Sequence, residues 1–126
     1  MRRARRLWSK RPNIAFAHGH YIPRQADYAL ASGIFNVQID QPLPLWERFV
    51  ATALDQLHCS SSRGFAVNFM KAPSDGKPAR KGIYATPPDR WARYCVERFG
   101  AATEVLDDYG LREYTLIVRR LVSTGP

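Results

Sequence analysis

The stretch Asp27–Val37, DYALASGIFNV, decides how the whole chain is read. Residues 28–32, YALAS, have the small and apolar side chains of a buried strand. The strand runs into Gly33 and leaves Ile34, Phe35 and Asn36 beyond its tip. That ending is neither a hairpin turn nor a clean helix start, so its purpose depends on what flanks it.

Downstream, QPLPLWERF opens a helix. Pro42 and Pro44 suit its first turn, and Leu45, Trp46, Phe49, Val50, Ala53, Leu54 and Leu57 recur at the spacing of one inward face. Gly64 is the expected stop. GFAVNFM, residues 64–70, is apolar over strand length except for Asn68. Such a run marks a central parallel strand covered on both faces. An amide there is costly to bury unpaired, so Asn68 is expected to bond to neighbouring backbone. Residues 71–88 are polar and broken by Pro and Gly, a loop long enough to suggest function or disorder. A second helix spans 89–99, with Asp89 as N-cap, Trp91, Tyr94, Cys95 and Phe99 inward, and Gly100 as its stop. ATEVLDDY and EYTLIVRR then read as an antiparallel hairpin about the turn Gly110-Leu111-Arg112.

Upstream, residues 13–18, NIAFAH, carry a short strand signal and 19–26 read as loop. Strands alternating with helices imply an α/β fold, with parallel strands, right-handed crossovers and a C-terminal antiparallel hairpin. Parallel sheets bind ligands outside the carboxyl ends of their strands. Ser32, Gly33, Phe35 and Asn36 therefore stand where such a sheet puts its site.

The chain has 126 residues, enough for one domain. We divide it into a basic segment 1–12, a domain 13–122 and a tail 123–126. Net charge is +8, but residues 1–12 hold six basic groups and no acid, so the body is close to neutral. The opening segment either stays solvated or holds a nucleic acid backbone; no interleaved aromatics follow it to stack on bases. No run approaches about 18 apolar residues, so no membrane span is expected. Cys59 and Cys95 stand alone on separate helices, without metal-ligand spacing, as reduced thiols of a cytoplasmic protein would. No zinc or other metal site is expected.

Taken in order, DYALASGIFNV, a Trp-bearing helix, RGFAVNFM, a Pro-rich loop with IYATPP, RYCVERFG and LDDYGLREYTLIVRR resemble the C-terminal portion of a class I S-adenosylmethionine-dependent methyltransferase. The resemblance covers roughly residues 13–120 and implies a partial Rossmann-like sheet. It also implies methyl transfer from S-adenosylmethionine to an acceptor that the sequence does not name. The family's glycine-rich cofactor loop is absent from this chain. NIAFAH matches the family's third strand, whose end borders the adenine, which makes His20 a candidate adenine neighbour. Ser32 and Gly33 match the end of the fourth strand, beside the methionine part of the cofactor. Asn36 falls where several methyltransferases present a side chain to substrate, and it otherwise caps the turn after the strand. Tyr84 and Lys81 lie in the loop that would border the substrate entrance, where they either touch substrate or are solvated.

No nucleophile–base pair stands out, and no catalytic residue is assigned. Methyl transfer from a sulfonium relies chiefly on alignment. A sheet without its first two strands exposes an apolar edge, a liability in natural folds. We therefore expect a missing N-terminal segment or a second copy to cover it, and no activity from this chain alone. A non-catalytic interaction subunit and a small nucleic-acid-binding protein are the competing readings.

Overall fold

The strand read from DYALAS is β1 (Ala26–Ala31), and it is followed by α1 (Leu43–Ser60), β2 (Ser61–Met70), α2 (Pro88–Phe99), β3 (Ala102–Leu106) and β4 (Glu113–Arg119). This computed structural model describes residue 22 and residues 24–71, 81–107 and 112–121. The segment 1–12, the expected strand 13–18, His20, residues 72–80 of the loop 71–88, Gly110, Leu111 and the tail lie outside the described residues.

The described strands form one sheet in the order β1-β2-β4-β3. β1 runs parallel to β2, with Ala29 opposite Phe65 and Ala31 opposite Val67. β4 lies antiparallel between β2 and β3. The fold is thus α/β with a parallel pair continued by an antiparallel hairpin, as expected. β2 is central, but only one of its neighbours is parallel. β1, expected to be interior, has no strand on its other side among the described residues.

Strand side chains alternate between faces, and one face carries the core. Ala29, Ala31, Phe65, Val67, Phe69, Tyr114, Leu116 and Val118 meet Val50, Leu54 and Leu57 of α1 and Trp91 and Cys95 of α2. Phe69 is the hub, its ring stacked near Phe35, Trp91 and Tyr114 at 5.3, 6.4 and 5.7 Å between centroids. The helices also grip each other. The Tyr94 hydroxyl and the Arg98 guanidinium both donate to Asp55, and His58 stacks on Phe99. Cys95 is buried and Cys59 exposed; burial, then the Asp55 charge, pushes the Cys95 thiol up to about 12, so it is inert near neutrality. Among the described residues no helix is long and apolar enough to cross a membrane.

Three sequence expectations shift by a turn or a face. The periodicity places Leu45 and Phe49 inward, yet both are exposed, Phe49 with its ring edge-on to Phe35 and tilted on Trp46. Asp89 sits in the first turn of α2, and Pro87 is the N-cap. Gly64 does not stop α1, which ends at Ser60 and passes straight into β2.

What ends α1 is Arg120, whose guanidinium donates to the carbonyls of His58 and Ser61. Cations are favoured at this end of a helix. Burial and the nearby Arg120 lower the His58 pKa, so the guanidinium supplies the charge. Gly64 serves another purpose. A Cβ there would run into the Val118 carbonyl oxygen and crowd the Arg119 Cα, so only glycine lets β2 and β4 close. Gly64→Ala is expected to cost about 1–3 kcal/mol, as overpacking does, measured by urea denaturation; unchanged stability would contradict this register.

Candidate functional site

The side of the sheet opposite the helices carries Tyr28, Leu30, Ala66, Asn68, Thr115 and Ile117, by alternation from the core positions. At the carboxyl end of the parallel pair this face becomes polar. Asn68 binds in three directions. Its Oδ1 accepts the Gly33 N–H at 2.7 Å, and its Nδ2 donates to Ser32 Oγ at 3.3 Å and to Glu113 Oε2 at 3.2 Å. Asn36 Nδ2 donates to the other oxygen, Glu113 Oε1, at 3.3 Å. Ser32, Gly33, Asn36, Asn68 and Glu113 thus form one hydrogen-bonded cluster that joins the ends of β1 and β2 to the start of β4.

The local backbone explains why the chain can reach this arrangement. Gly33 has φ +74°, a conformation that glycine adopts at no steric cost. It turns the chain so that the Gly33 N–H meets Asn68, while Phe35 drops into the core with its carbonyl accepting from Trp46 Nε1. The following turn is tied to the second loop. Gln38 and Ile39 N–H both donate to the Gly82 carbonyl, and Tyr84 N–H donates to the Asn36 carbonyl. Ile39 holds φ +60°, a strained conformation for a β-branched residue that costs on the order of 1–3 kcal/mol. These bonds from Gly82 are what hold it.

Of the residues singled out from sequence, the structure brings Ser32, Gly33 and Asn36 together, and His20 lies outside the described residues. Asn36 does not cap its own turn: its amide reaches 77 residues along the chain to Glu113. Its Oδ1 is hidden from solvent and has no donor among the described residues. Asn68 does bond to neighbouring backbone, through Gly33.

Tyr84 is a core residue, 3% exposed, on the helix side. Its hydroxyl donates to Glu47 at 2.7 Å and accepts from Trp91 Nε1 at 2.9 Å. Burial, then the Glu47 hydrogen bond, raises its pKa to about 12. It lines a groove of about 570 Å³ between the first turns of α1 and α2, with Leu43, Glu47, Thr86, Arg90 and Tyr94. In that groove Glu47 pairs with Arg90 and Asp89 with Arg93. Lys81 is exposed.

Sequence reasoning missed Glu113. It opens β4 opposite Met70, and nothing in the sequence says that β4 will lie beside β2 rather than at the rim. The one available signal was Asn68, an amide in an apolar strand, half-buried in the structure, that required a partner of unknown position.

For the cofactor that the family resemblance implies, the cluster offers a partial fit. Among the described residues, its chain neighbours aside, no atom stands within 4 Å of where a Gly33 Cβ would be, which leaves that backbone open to a ligand. Ser32 Oγ, accepting from Asn68, keeps its proton to donate. These suit the methionine end. The adenosine end finds no matching glycine-rich loop.

A Mycobacterium tuberculosis protein named "Putative methyltransferase Rv1506c" is 36% identical to this chain over 110 residues, 87% of this chain and 66% of that protein. That similarity extends over most of this chain. It spans 66% of that relative's length. No family model matches the chain, and no solved structure matches it.

The Tyr84 shift has a sign that can be checked. A tyrosine whose folded pKa lies above its unfolded value of about 10 stabilises the fold fully below pH 10 and loses that contribution as pH rises toward 12. Tyr94 and Tyr114 are raised as well, chiefly by burial. Tyr84→Phe should cost about 0.5–1.5 kcal/mol at neutral pH and make the alkaline loss of stability shallower, read from denaturation midpoints. An equally steep decline in the variant would show that Tyr84 does not remain protonated.

Proposed function

We propose that this chain is the acceptor-side portion of a class I S-adenosylmethionine-dependent methyltransferase, and that it does not catalyse alone. The observation that carries the reading is the Ser32–Gly33–Asn36–Asn68–Glu113 cluster at the carboxyl ends of a parallel strand pair. Ligands of α/β sheets bind there, and the similarity to a protein named as a methyltransferase agrees with it. When bound, S-adenosylmethionine supplies an electrophilic methyl group on a cationic sulfur.

The chain's own residues then act by placement. Ser32 offers a hydroxyl proton and Gly33 an open backbone surface to the methionine end, and Asn36 faces the acceptor. Asn68 holds all of this in register with β2. Tyr84 contributes indirectly, its N–H anchoring the Asn36 carbonyl. Alignment of this kind supplies most of what such a transfer needs, so the cluster requires no acid–base pair.

The chain's incompleteness is part of the proposal and rests on β1. Leu30 is 82% exposed and Tyr28 60%, an apolar strand with a free edge among the described residues. Leu45 and Phe49 of α1 are exposed as well, on the helix side of the sheet. A missing N-terminal segment or a second copy would cover β1. The same exposure favours a second reading, a non-catalytic subunit that pairs through β1. Light scattering separates them: a defined oligomer that binds no cofactor supports the second reading.

The direct test is calorimetry with S-adenosylmethionine on this chain and on the full gene product that contains it. Saturable binding by the full product, and little or none by the chain alone, is the expected pair of results. A full product that binds no S-adenosylmethionine would falsify the proposal.

A further inference from the structure

Glu113 stands between two amides, with one carboxylate oxygen on Asn36 Nδ2 and the other on Asn68 Nδ2. An ionised carboxylate only accepts, so both amides must turn their NH2 groups toward it. That choice fixes where the carbonyl oxygens go. Asn68 Oδ1 receives the Gly33 N–H. Asn36 Oδ1 is left hidden from solvent without a donor among the described residues. Flipping the Asn36 amide gives no relief, since it would set oxygen against carboxylate.

Natural folds seldom leave a buried acceptor unmet, and an exception calls for an explanation. Asn36 itself is only half-buried and adjoins the exposed Ser32 and Gly33. Its amide shares the Glu113 carboxylate with Asn68, which in turn binds Ser32 and Gly33, so the Asn36 side chain belongs to the cluster at the carboxyl ends of β1 and β2.

We infer that Glu113 is a positioning residue: by orienting the Asn36 amide, it reserves Asn36 Oδ1 for the N–H of an amine or ammonium seated at that end of the sheet. The inference deepens the methyltransferase reading and rests on it for the identity of the ligand. The Glu113 carboxylate beside the oxygen favours a cationic donor over a neutral hydroxyl. Two ligands share this chemistry, the amino group of the cofactor's methionine end and an amine on the methyl acceptor.

The experiment is a titration of the ¹⁵N-labelled full gene product that contains this chain, read at the Asn36 side-chain amide and the Gly33 backbone amide. The probes are S-adenosylhomocysteine, 5′-methylthioadenosine, which lacks the amino-acid end, and n-butylammonium. Movement with S-adenosylhomocysteine but not with 5′-methylthioadenosine assigns the oxygen to the cofactor's amino group. Movement with n-butylammonium alone assigns it to an acceptor amine, and that result stands even if calorimetry finds no S-adenosylmethionine binding.

In either case Glu113→Gln should weaken the effective probe by about tenfold, the scale of one charge-assisted hydrogen bond. Its melting temperature should hold or rise, because a glutamine NH2 can donate to Asn36 Oδ1; a merely structural Glu113 would lower it. Should that variant fail to fold, Asn36→Ala, read at Gly33, should lose the same response. Asn36 signals indifferent to every probe overturn the inference. So does equal movement with 5′-methylthioadenosine, or undiminished affinity in Glu113→Gln.

Discussion

An amide inside an apolar strand has to be paired, and the pairing of Asn68 organises the end of this sheet. Burying such a group without partners costs several times what each of its hydrogen bonds returns. Asn68 finds its partners on three different segments: the Gly33 turn, Ser32 at the tip of β1, and Glu113 at the start of β4. One side chain therefore fixes the turn, aligns the parallel pair and joins the antiparallel strand. Its neighbour Phe69 points the other way into the aromatic core. The two-residue period of β2 thus sets a polar interlock on one face directly behind a rigid apolar one, and the rigidity of the core is passed to the site.

The same architecture leaves β1 with two roles that pull apart. Its tip carries the candidate site, while its outer face exposes Tyr28 and Leu30. Exposed apolar surface of this extent and a free strand edge are both features that folds cover. Whatever covers that flank also lies next to Ser32 and Gly33. Completion of the sheet and completion of the ligand site are consequently one event in this account, which is why the chain by itself is proposed to be inactive.

The parts legible in the sequence were those set by local pattern. The apolar run of β2, the amphipathic period of α2 with Gly100 at its end, and the closing hairpin all follow from residues close in the chain. So did the need for Asn68 to find a backbone partner. What stayed hidden depended on distant strands. Gly64 looked like a helix stop, but its lack of a side chain is required by β4 approaching at Val118. Leu45 and Phe49 fit the inward period of α1, but inwardness depends on how far the sheet extends beneath them. Tyr84 looked like a loop residue because prolines and glycines surround it, and it is buried because Glu47 and Trp91 supply partners for its hydroxyl. Glu113 could not be chosen without knowing that β4 inserts beside β2.

The most direct test of the interlock is amide hydrogen exchange at Gly33. That residue is exposed, so protection of its N–H can come only from the Asn68 carbonyl. Replacing Asn68 by leucine, which keeps β2 apolar, should raise exchange at Gly33 by an order of magnitude or more, about what the loss of one hydrogen bond to a backbone donor allows, while the amides of Phe65 and Val67 stay protected. Equal exchange at Gly33 in both proteins would mean that the turn holds itself, and that Asn68 does not organise the site.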